Sequence, residues 1–251
     1  MTAHHVKSAQ RVLELLEFFA EWRRPASVKE ICQTLGYPQS STSVLMKSLT
    51  ESGYFDHEAR TGMYVPNVRL SLATGWIEEH LFSEQSLLRL MERVLSHCGH
   101  TVMIGTQQGV HVRYLHVLQA TRAGRFLAKT GSLRPLFRSA SGKMLLTTHA
   151  EKDMGMLLRK ANALEPDKTL QVDLGSALQE REKARRDGHA MSMGTSMVGA
   201  AALAILMPVP RGQDPMTLSL GGPMREIKAD RDKLLALLND TVANLRAAVL
   251  K

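Results

Sequence analysis

The sequence predicts an α+β protein in two parts, a small helical N-terminal part and a larger C-terminal part that mixes strands with helices. Apolar residues recur at helical spacing from Ser8 onward, whereas short strand-like runs alternate with helical patterns from Thr101 onward. The chain has 251 residues, of which 44% are hydrophobic and 22% are charged, so each part can bury a core and a disordered protein is excluded.

Three helices are predicted in the N-terminal part. The first, Ser8 to Glu21, carries apolar residues at i, i+3, i+4 and i+7 on one face. The second begins at the capping box Ser27 to Glu30 and ends at Gly36, a residue type that ends helices in a left-handed conformation. The third runs from Ser40 to Ser52, and its polar face is small and rich in hydroxyl groups near the N-terminus. Such a face fits the major groove of DNA, so the three helices predict a helix-turn-helix.

A hairpin of two short strands follows the third helix. Gly53 to His57 and Met63 to Val65 have strand-like composition, and the turn between them carries Arg60 at its tip, where a phosphate contact is expected. A hairpin in this position is called a wing, and Arg69 to Leu81 then predicts a linker helix. The predicted domains are a winged helix-turn-helix at residues 1–66, a linker helix at 67–82 and a C-terminal domain at 83–251.

The residues expected to contact DNA lie on the third helix, at the start of the first helix and at the tip of the wing. Val44 suits the methyl group of thymine, and Lys47 is expected to add to the affinity. The full set is Lys7, Arg11, Gln39, Ser40, Ser41, Ser43, Val44, Lys47 and Arg60.

The positive charge lies mostly outside this DNA-binding candidate. The chain has a formal net charge of +8, but residues 1–70 hold 8 Lys and Arg against 7 Asp and Glu, while residues 122–186 hold 14 against 7. Because non-specific affinity for DNA comes from neutralised phosphates, one copy of the N-terminal part should bind weakly, and an oligomer presenting two such helices is expected. The basic run from Arg122 to Lys143 is interpreted either as a solvated face or as an anion site.

The C-terminal part predicts two sets of strands separated by helices. A helix at Ser83 to Gly99 precedes the first set, and a small-residue turn at Ser139 to Ser141 opens another helix, which two more helices follow. The predicted strands are Thr101 to Thr106, Val110 to Leu118, Phe126 to Lys129, His189 to Met193, Ala202 to Pro208 and Thr217 to Leu220. A last helix, Met224 to Leu250, carries an apolar stripe that either packs on its own sheet or joins two chains.

Three segments, in this order and spacing, carry a resemblance to a known family. They are Lys7 to Leu16 with the helix-turn-helix through Ser41, Arg134 to Lys143, and the small-residue strand Val198 to Pro208 followed by Ser219 to Pro223. The second is similar to a Pro-Leu-His-x-Thr/Ala-x-Gly-Lys stretch of the IclR family of transcriptional regulators, which the chain resembles over essentially its whole length. The resemblance implies a winged helix, a linker helix and a GAF-like effector-binding and oligomerisation domain, assembled as a homodimer or a dimer of dimers.

The resemblance also implies a pocket for a small-molecule effector in the C-terminal domain. Its positions correspond to Ala123, Phe126, Arg134, Ala140, Ser141, Ser192, Ala200 and Ala202. The helix start after Ser139 offers backbone N–H groups to an anion, and Arg134 can hold a carboxylate. Phe126, Met103 and Met191 can supply an apolar wall. The predicted effector is a carboxylate with an apolar or aromatic body, and the alternative is that Arg134 is a solvated loop residue.

Departures from the family pattern bear on both sites. The family usually has Lys, His and Arg where this chain has Gln39, Ser43 and Val44, so an operator sequence cannot be transferred from relatives. The family often has an acid at Ser192, and a larger aliphatic residue and a Cys around residues 200–202, where this chain has three alanines. A roomier pocket is therefore expected.

Other function classes find less support in the sequence. The run Ser139 to Met144 evokes a phosphate-binding loop, but Phe137 stands where glycine is required and Met144 where Ser or Thr would bind magnesium. Ser141 lacks the motif of a nucleophile elbow, and His97 to His100 has no second pair at metal-ligand spacing. No catalytic residue, metal site or cofactor is therefore predicted.

Two further expectations concern the partners and the location of the protein. An effector-binding adaptor with little DNA affinity stays open, because the N-terminal part is nearly neutral. The sequence has neither a signal peptide nor an apolar run long enough for a membrane span, so a cytoplasmic protein without a membrane partner is expected. Cys32 and Cys98 lie far apart in helical segments and are expected to stay reduced.

Overall fold

The computed structural model describes residues 6–82, 87–120, 128–209 and 212–249. The chain divides into two compact units, Met1–Ile77 and Glu78–Lys251. Within the described residues, no helix is both long and apolar enough to cross a membrane.

The N-terminal unit contains the three predicted helices and a small antiparallel sheet. Its elements are α1 (Lys7–Trp22), β1 (Ala26–Ser27), α2 (Val28–Leu35), α3 (Gln39–Glu51), β2 (Phe55–Glu58) and β3 (Met63–Pro66), followed by α4 (Val68–Phe82). The strand order is β1-β3-β2, so the predicted wing gains a third strand that the sequence analysis missed. Two residues are too few to show the alternation of a strand, and this segment becomes a strand only by pairing with β3.

Local signals fix the helix boundaries of this unit. The capping box is present: Ser27 Oγ accepts a hydrogen bond from Glu30 N–H at 3.3 Å, and Glu30 Oε2 accepts one from Ser27 N–H at 2.8 Å. These hydrogen bonds hold the pKa of the Glu30 carboxyl below its usual value. Gly36 ends α2 with φ 71°. The helices pack around a core of Leu15, Phe18, Phe19, Ala26, Ile31, Met46, Phe55 and Tyr64.

The C-terminal unit is built on one six-stranded antiparallel sheet in the order β6-β5-β4-β9-β8-β7. The strands are β4 (Thr101–Gln108), β5 (His111–Leu118), β6 (Leu133–Pro135), β7 (Ala190–Met193), β8 (Ala200–Leu206) and β9 (Met216–Pro223). The helices are α5 (Leu87–Cys98), α6 (Ala140–Leu146), α7 (Glu151–Leu164), α8 (Leu174–Asp187), α9 (Met224–Ala229) and α10 (Arg231–Val249), with a 3-10 turn at Lys168–Leu170. This arrangement confirms the predicted α+β class and GAF-like domain.

Helices cover both faces of the sheet. On one face, α5, α9 and α10 pack on residues such as Ile104 and Leu203. On the other face, α6, α7 and α8 pack on Met103, Val112 and Ala204. The two faces follow from the alternation of side chains along each strand. Met103 and Ile104 are neighbours in β4 and lie in different cores. The C-terminal stripe that includes Leu238, Val242 and Leu245 is buried in the first of these cores, as the intramolecular interpretation expects.

Two predicted elements differ from the structure. The third strand was placed at Phe126 to Lys129, but its residues 126 and 127 lie outside the described part of the chain and Lys129 is not in a strand. The strand next to β5 is instead Leu133–Pro135, within the segment predicted as a loop, and pairs with His111–Arg113. Its last residue is a proline, which an edge strand tolerates because the outer N–H groups need no partner. The single C-terminal helix is interrupted at Asp230, between α9 and α10.

Candidate functional sites

The exposed face of α3 is the candidate DNA-binding surface. Ser40, Val44 and Lys47 are exposed and Ser43 is half-buried, and these positions recur at helical spacing on one side. Val44 is 69% exposed, an unusual environment for an apolar side chain. The opposite side of α3 points Met46 into the core of the unit. The face predicted from the sequence is thus open to a partner.

Arg11 ties the start of α3 to α1. Its Nη1 donates to Ser41 Oγ at 3.2 Å, and its guanidinium lies 4.9 Å from the centre of the Tyr37 ring. Ser41 Oγ in turn donates to the carbonyl of Pro38 at 3.1 Å. Ser41 therefore has both hydrogen-bonding roles of its hydroxyl engaged within the unit. Arg11 and Ser41 consequently orient the first turn of α3.

The remaining predicted DNA contacts are solvent-exposed. Lys7 is the first residue of α1, Gln39 is the first residue of α3, and Arg60 lies in the turn between β2 and β3. Sequence reasoning did not identify Tyr37 or Arg69 as supports of this surface. Arg69 Nη1 donates to the carbonyl of Ser52 at 3.0 Å, so it fastens the end of α3. The Arg11–Tyr37 and Arg69–Ser52 contacts leave no local sequence signal, because each joins residues that are distant in sequence.

A recess on the face of the C-terminal sheet that α6, α7 and α8 cover is the candidate effector site. It lies between the start of α6, strands β5, β7 and β8, and the loop that joins β7 to β8. The recess encloses about 10 Å³, room for about one water molecule, so it is not the roomier pocket expected from the alanines at positions 200–202. Ser192 and Ala202 are paired across β7 and β8, so both face the recess. The recess is lined by Tyr114, Ser139, Ala140, Ser192, Ser196, Met197, Ala200, Ala201 and Ala202.

The start of α6 is held rigidly by its own residues. Ser139 caps the helix, with its Oγ accepting from Gly142 N–H at 3.2 Å. A Cβ atom at Gly142 would lie 1.9 Å from the carbonyl oxygen of Leu136, so only glycine allows this close approach of helix and loop. Because Ser139 already engages Gly142 N–H, Ala140 N–H and Ser141 N–H are the donors that this turn can offer to a ligand.

Arg134 does not line the recess, but its guanidinium lies near the ring of Tyr114, which does. Arg134 lies opposite Val112 in the β5–β6 pairing, and its guanidinium is 5.6 Å from the centre of the Tyr114 ring. Its Nη1 donates to the carbonyl of Leu133 at 2.9 Å, and its buried Nε has no partner within the described residues. Burial raises the pKa of Tyr114 to about 12, although the charge of Arg134 opposes this rise. The phenol is therefore neutral at pH 7.

The structure brings together some of the predicted effector residues and separates others. Ser139, Ala140, Ser192, Ala200 and Ala202 line the recess. Met103 and Ser141 are buried on the same side of the sheet without lining it. Ala123 and Phe126 lie outside the described residues.

Met191 does not belong with these residues. It pairs with Leu203 and packs against the core on the opposite face of the sheet. Neighbouring residues of a strand point to opposite faces, and Met191, unlike its neighbour Ser192, does not line the recess. Among the residues that sequence reasoning missed, Tyr114 had a signal, because it shares its strand phase with buried Val112. Ser196 and Met197 had none, because they lie in the loop between β7 and β8.

The structure also bears on metal binding and on the cysteines. Among the described residues, no group of three or more His, Cys, Asp or Glu side chains is placed to hold a metal ion. Cys98 is buried and Cys32 half-buried, and the two do not form a disulfide.

Two family models match the chain. The model described as the IclR helix-turn-helix domain matches residues 8–57, and the model described as bacterial transcriptional regulator IclR C-terminal matches residues 83–247. The HTH-type transcriptional repressor AllR of Escherichia coli (strain K12) is 23% identical over 248 residues, which are 97% of this chain and 90% of that protein.

Solved structures give the same result for the fold. The effector domain of the IclR transcriptional regulator from Acinetobacter sp. ADP1 is 27% identical, with a TM-score of 0.62, covering 67% of this chain and 98% of that one. The Thermotoga maritima IclR structure is 19% identical, with a TM-score of 0.62, covering 96% of this chain and 98% of that one. The match to the second structure therefore extends over both units.

Proposed function

Since the chain belongs to the IclR family of bacterial transcriptional regulators, we propose that α3 recognises operator DNA and that the C-terminal recess binds a small organic acid that controls this binding. The observation that carries the DNA-binding half is the exposed face of α3. Ser40, Ser43, Val44 and Lys47 project from a helix whose first turn is fixed by Arg11. Small side chains near the N-terminus let a helix approach base edges in the major groove.

Each exposed side chain has an expected role on DNA. The two methyl groups of Val44 suit contact with the methyl group of thymine. Lys47 and Arg60 are placed to neutralise phosphates, and Lys7 extends the positive surface at the start of α1. Because one copy offers only these few cations, a homodimer or a dimer of dimers is proposed as the binding species.

The groups that line the recess support a compact organic acid as the effector, and the walls must move apart to admit it, because the recess encloses only about 10 Å³. Ala140 N–H can donate to a carboxylate, while Tyr114 offers a neutral phenol next to the charge of Arg134. Alanines at positions 200–202 leave the opposite wall apolar. An acid with a small apolar or aromatic body matches this combination of a polar end and an apolar wall.

Titration of the protein with DNA, followed by effector screening, tests the proposal. Operator sequences are selected from a random duplex pool, and binding is measured by fluorescence anisotropy at several salt concentrations. A regulator binds selected sequences with an affinity that falls steeply with salt. Small carboxylic acids are then screened by thermal shift, since a ligand of the native state raises stability. Absence of any sequence-enriched binding would favour the adaptor that the near-neutral N-terminal charge suggests, and absence of a stabilising acid would refute the effector class.

A further inference from the structure

A second and larger cavity lies on the other side of α6. We define the α6–α8 cleft as the space of about 290 Å³ between α6, the segment around the 3-10 turn Lys168–Leu170, and α8. Part of its wall is apolar and consists of Phe137, Leu146, Leu170, Val172 and Ala177. The cleft shares no lining residue with the recess at Tyr114 and Ser192. Its volume lies at the lower end of the range of small-molecule sites, which begins at about 300 Å³.

Three cations line this cleft against one carboxylate, Glu180. Lys143 Nζ lies 2.7 Å from Glu180 Oε2, and Arg138 Nη2 lies 2.6 Å from Glu165 Oε2. Both cationic side chains are largely buried, with 14% and 16% of their surface exposed. An arginine has five N–H donors, so Arg138 keeps donors beyond the one that Glu165 occupies. Since Arg181 is also paired, with Glu182 at 2.7 Å, each of the three cations has its own carboxylate. The cleft therefore offers N–H donors that these ion pairs leave unused, and not an excess of positive charge.

The third cation, Arg181, is 8% exposed on the wall of the cleft. Its Nη1 lies 2.7 Å from Glu182 Oε1, and its Nη2 donates to the carbonyl of His149 at 2.9 Å. Its buried Nε–H has no hydrogen-bond partner among the described residues. A buried donor without a partner raises the free energy of the folded protein. A ligand acceptor that formed a hydrogen bond with this Nε–H would remove that cost and so gain binding free energy.

We propose that the α6–α8 cleft is a second ligand site that binds an organic anion with an apolar or aromatic body. The anionic group lies at Arg138 and Lys143, where charge-assisted hydrogen bonds are available. The apolar body packs on Phe137, Leu146 and Val172. This site is separate from the recess, since the two share no lining residue.

Calorimetric titration of the full chain with 1-naphthoate, compared with the neutral 1-naphthamide, tests the site. We expect 1-naphthoate to bind and the amide to bind at least tenfold more weakly. Lys143→Met removes one charge-assisted hydrogen bond and should weaken 1-naphthoate about tenfold. Ser176→Phe fills the cleft from an exposed position in the first turn of α8 and should abolish binding without changing the charge. Lys160→Met, an exposed lysine of α7 outside the cleft, is the charge-matched control and should stay within twofold.

The outcomes separate this site from the recess. Equal binding of acid and amide, an equal loss in Lys160→Met, or unchanged binding in Ser176→Phe would each overturn the second site. Ala200→Leu narrows the recess and should leave 1-naphthoate binding in the cleft intact. Loss of binding in Ala200→Leu but not in Ser176→Phe would place the acid in the recess, which refutes the second site while supporting the proposed effector function. Thermal unfolding confirms that each variant is folded.

Discussion

Removing the charge of Lys47 should reduce the salt dependence of DNA binding by a calculable amount. Lys47 is exposed near the middle of α3, and alanine is a strong helix former, so Lys47→Ala should leave the fold intact. Each lost phosphate contact lowers the slope of log K against log salt by about 0.9, so a dimer with two Lys47 contacts loses about 1.8. Between about 50 and 200 mM salt, the wild type should therefore lose about 12-fold more affinity than the variant.

Fluorescence anisotropy with a labelled operator duplex measures this slope. Lys160→Ala, which removes an equal charge from α7, is the matched control and should keep the wild-type slope. Because the contact proposed for Lys47 is to phosphate and not to a base edge, the loss should be similar for operator and unrelated DNA. A wild-type slope in Lys47→Ala, or the same reduction in the control, would show that this face of α3 does not lie on DNA.

Three further predictions concern single residues. Val44→Ala should weaken binding to an operator with thymine at the contacted step, but not to the same duplex with uracil, which lacks the methyl group; equal weakening on both duplexes would contradict the contact. Gly142→Ala forces the new Cβ against the Leu136 carbonyl oxygen and should cost about 3 kcal/mol of unfolding free energy in urea. Gly155→Ala, inside α7 with only an ordinary contact, should instead stabilise by about 0.5–1 kcal/mol, and similar effects of the two changes would refute the steric account. Because the pKa of Tyr114 is raised to about 12, its stabilising contribution is complete below pH 10, the usual tyrosine value, and is lost as the pH rises toward 12; absorbance at alkaline pH should show one late-titrating tyrosine that Tyr114→Phe removes.

The sequence predicted the N-terminal unit well because its signals are local. The Ser27 capping box, the left-handed Gly36 and the apolar spacing of α1 and α3 each act within a few residues. The elements that were missed form through distant pairing. Strand β6 exists because Leu133–Pro135 meets the edge of β5, and β1 exists because Ala26–Ser27 meets β3. A chain segment carries no local pattern for a partner that lies far along the sequence.

The candidate recess was predicted in part, and its errors have different causes. Ser192 and Ala202, whose positions the resemblance implies, both line the recess. Met191 was assigned to the same wall although strand alternation puts it on the other face, so the error came from ignoring a signal that the sequence held. The α6–α8 cleft left no comparable signal. Arg138 and Lys143 belong to the basic run that is interpreted either as a solvated face or as an anion site, but their position around one cavity with Arg181 depends on the packing of α6 against α8.

The two proposed ligand sites share a single helix. Ser139 and Ala140 at the start of α6 line the recess, whereas Lys143 from its middle lines the cleft. Gly142 lies between them, so tightly packed against Leu136 that this turn of the helix has no room to move toward that loop. A ligand that displaces α6 at one site must therefore move it along or away from the loop, which changes the wall of the other site. Under the two proposals, the affinities of the sites depend on each other, and thermodynamic linkage requires that dependence to be reciprocal.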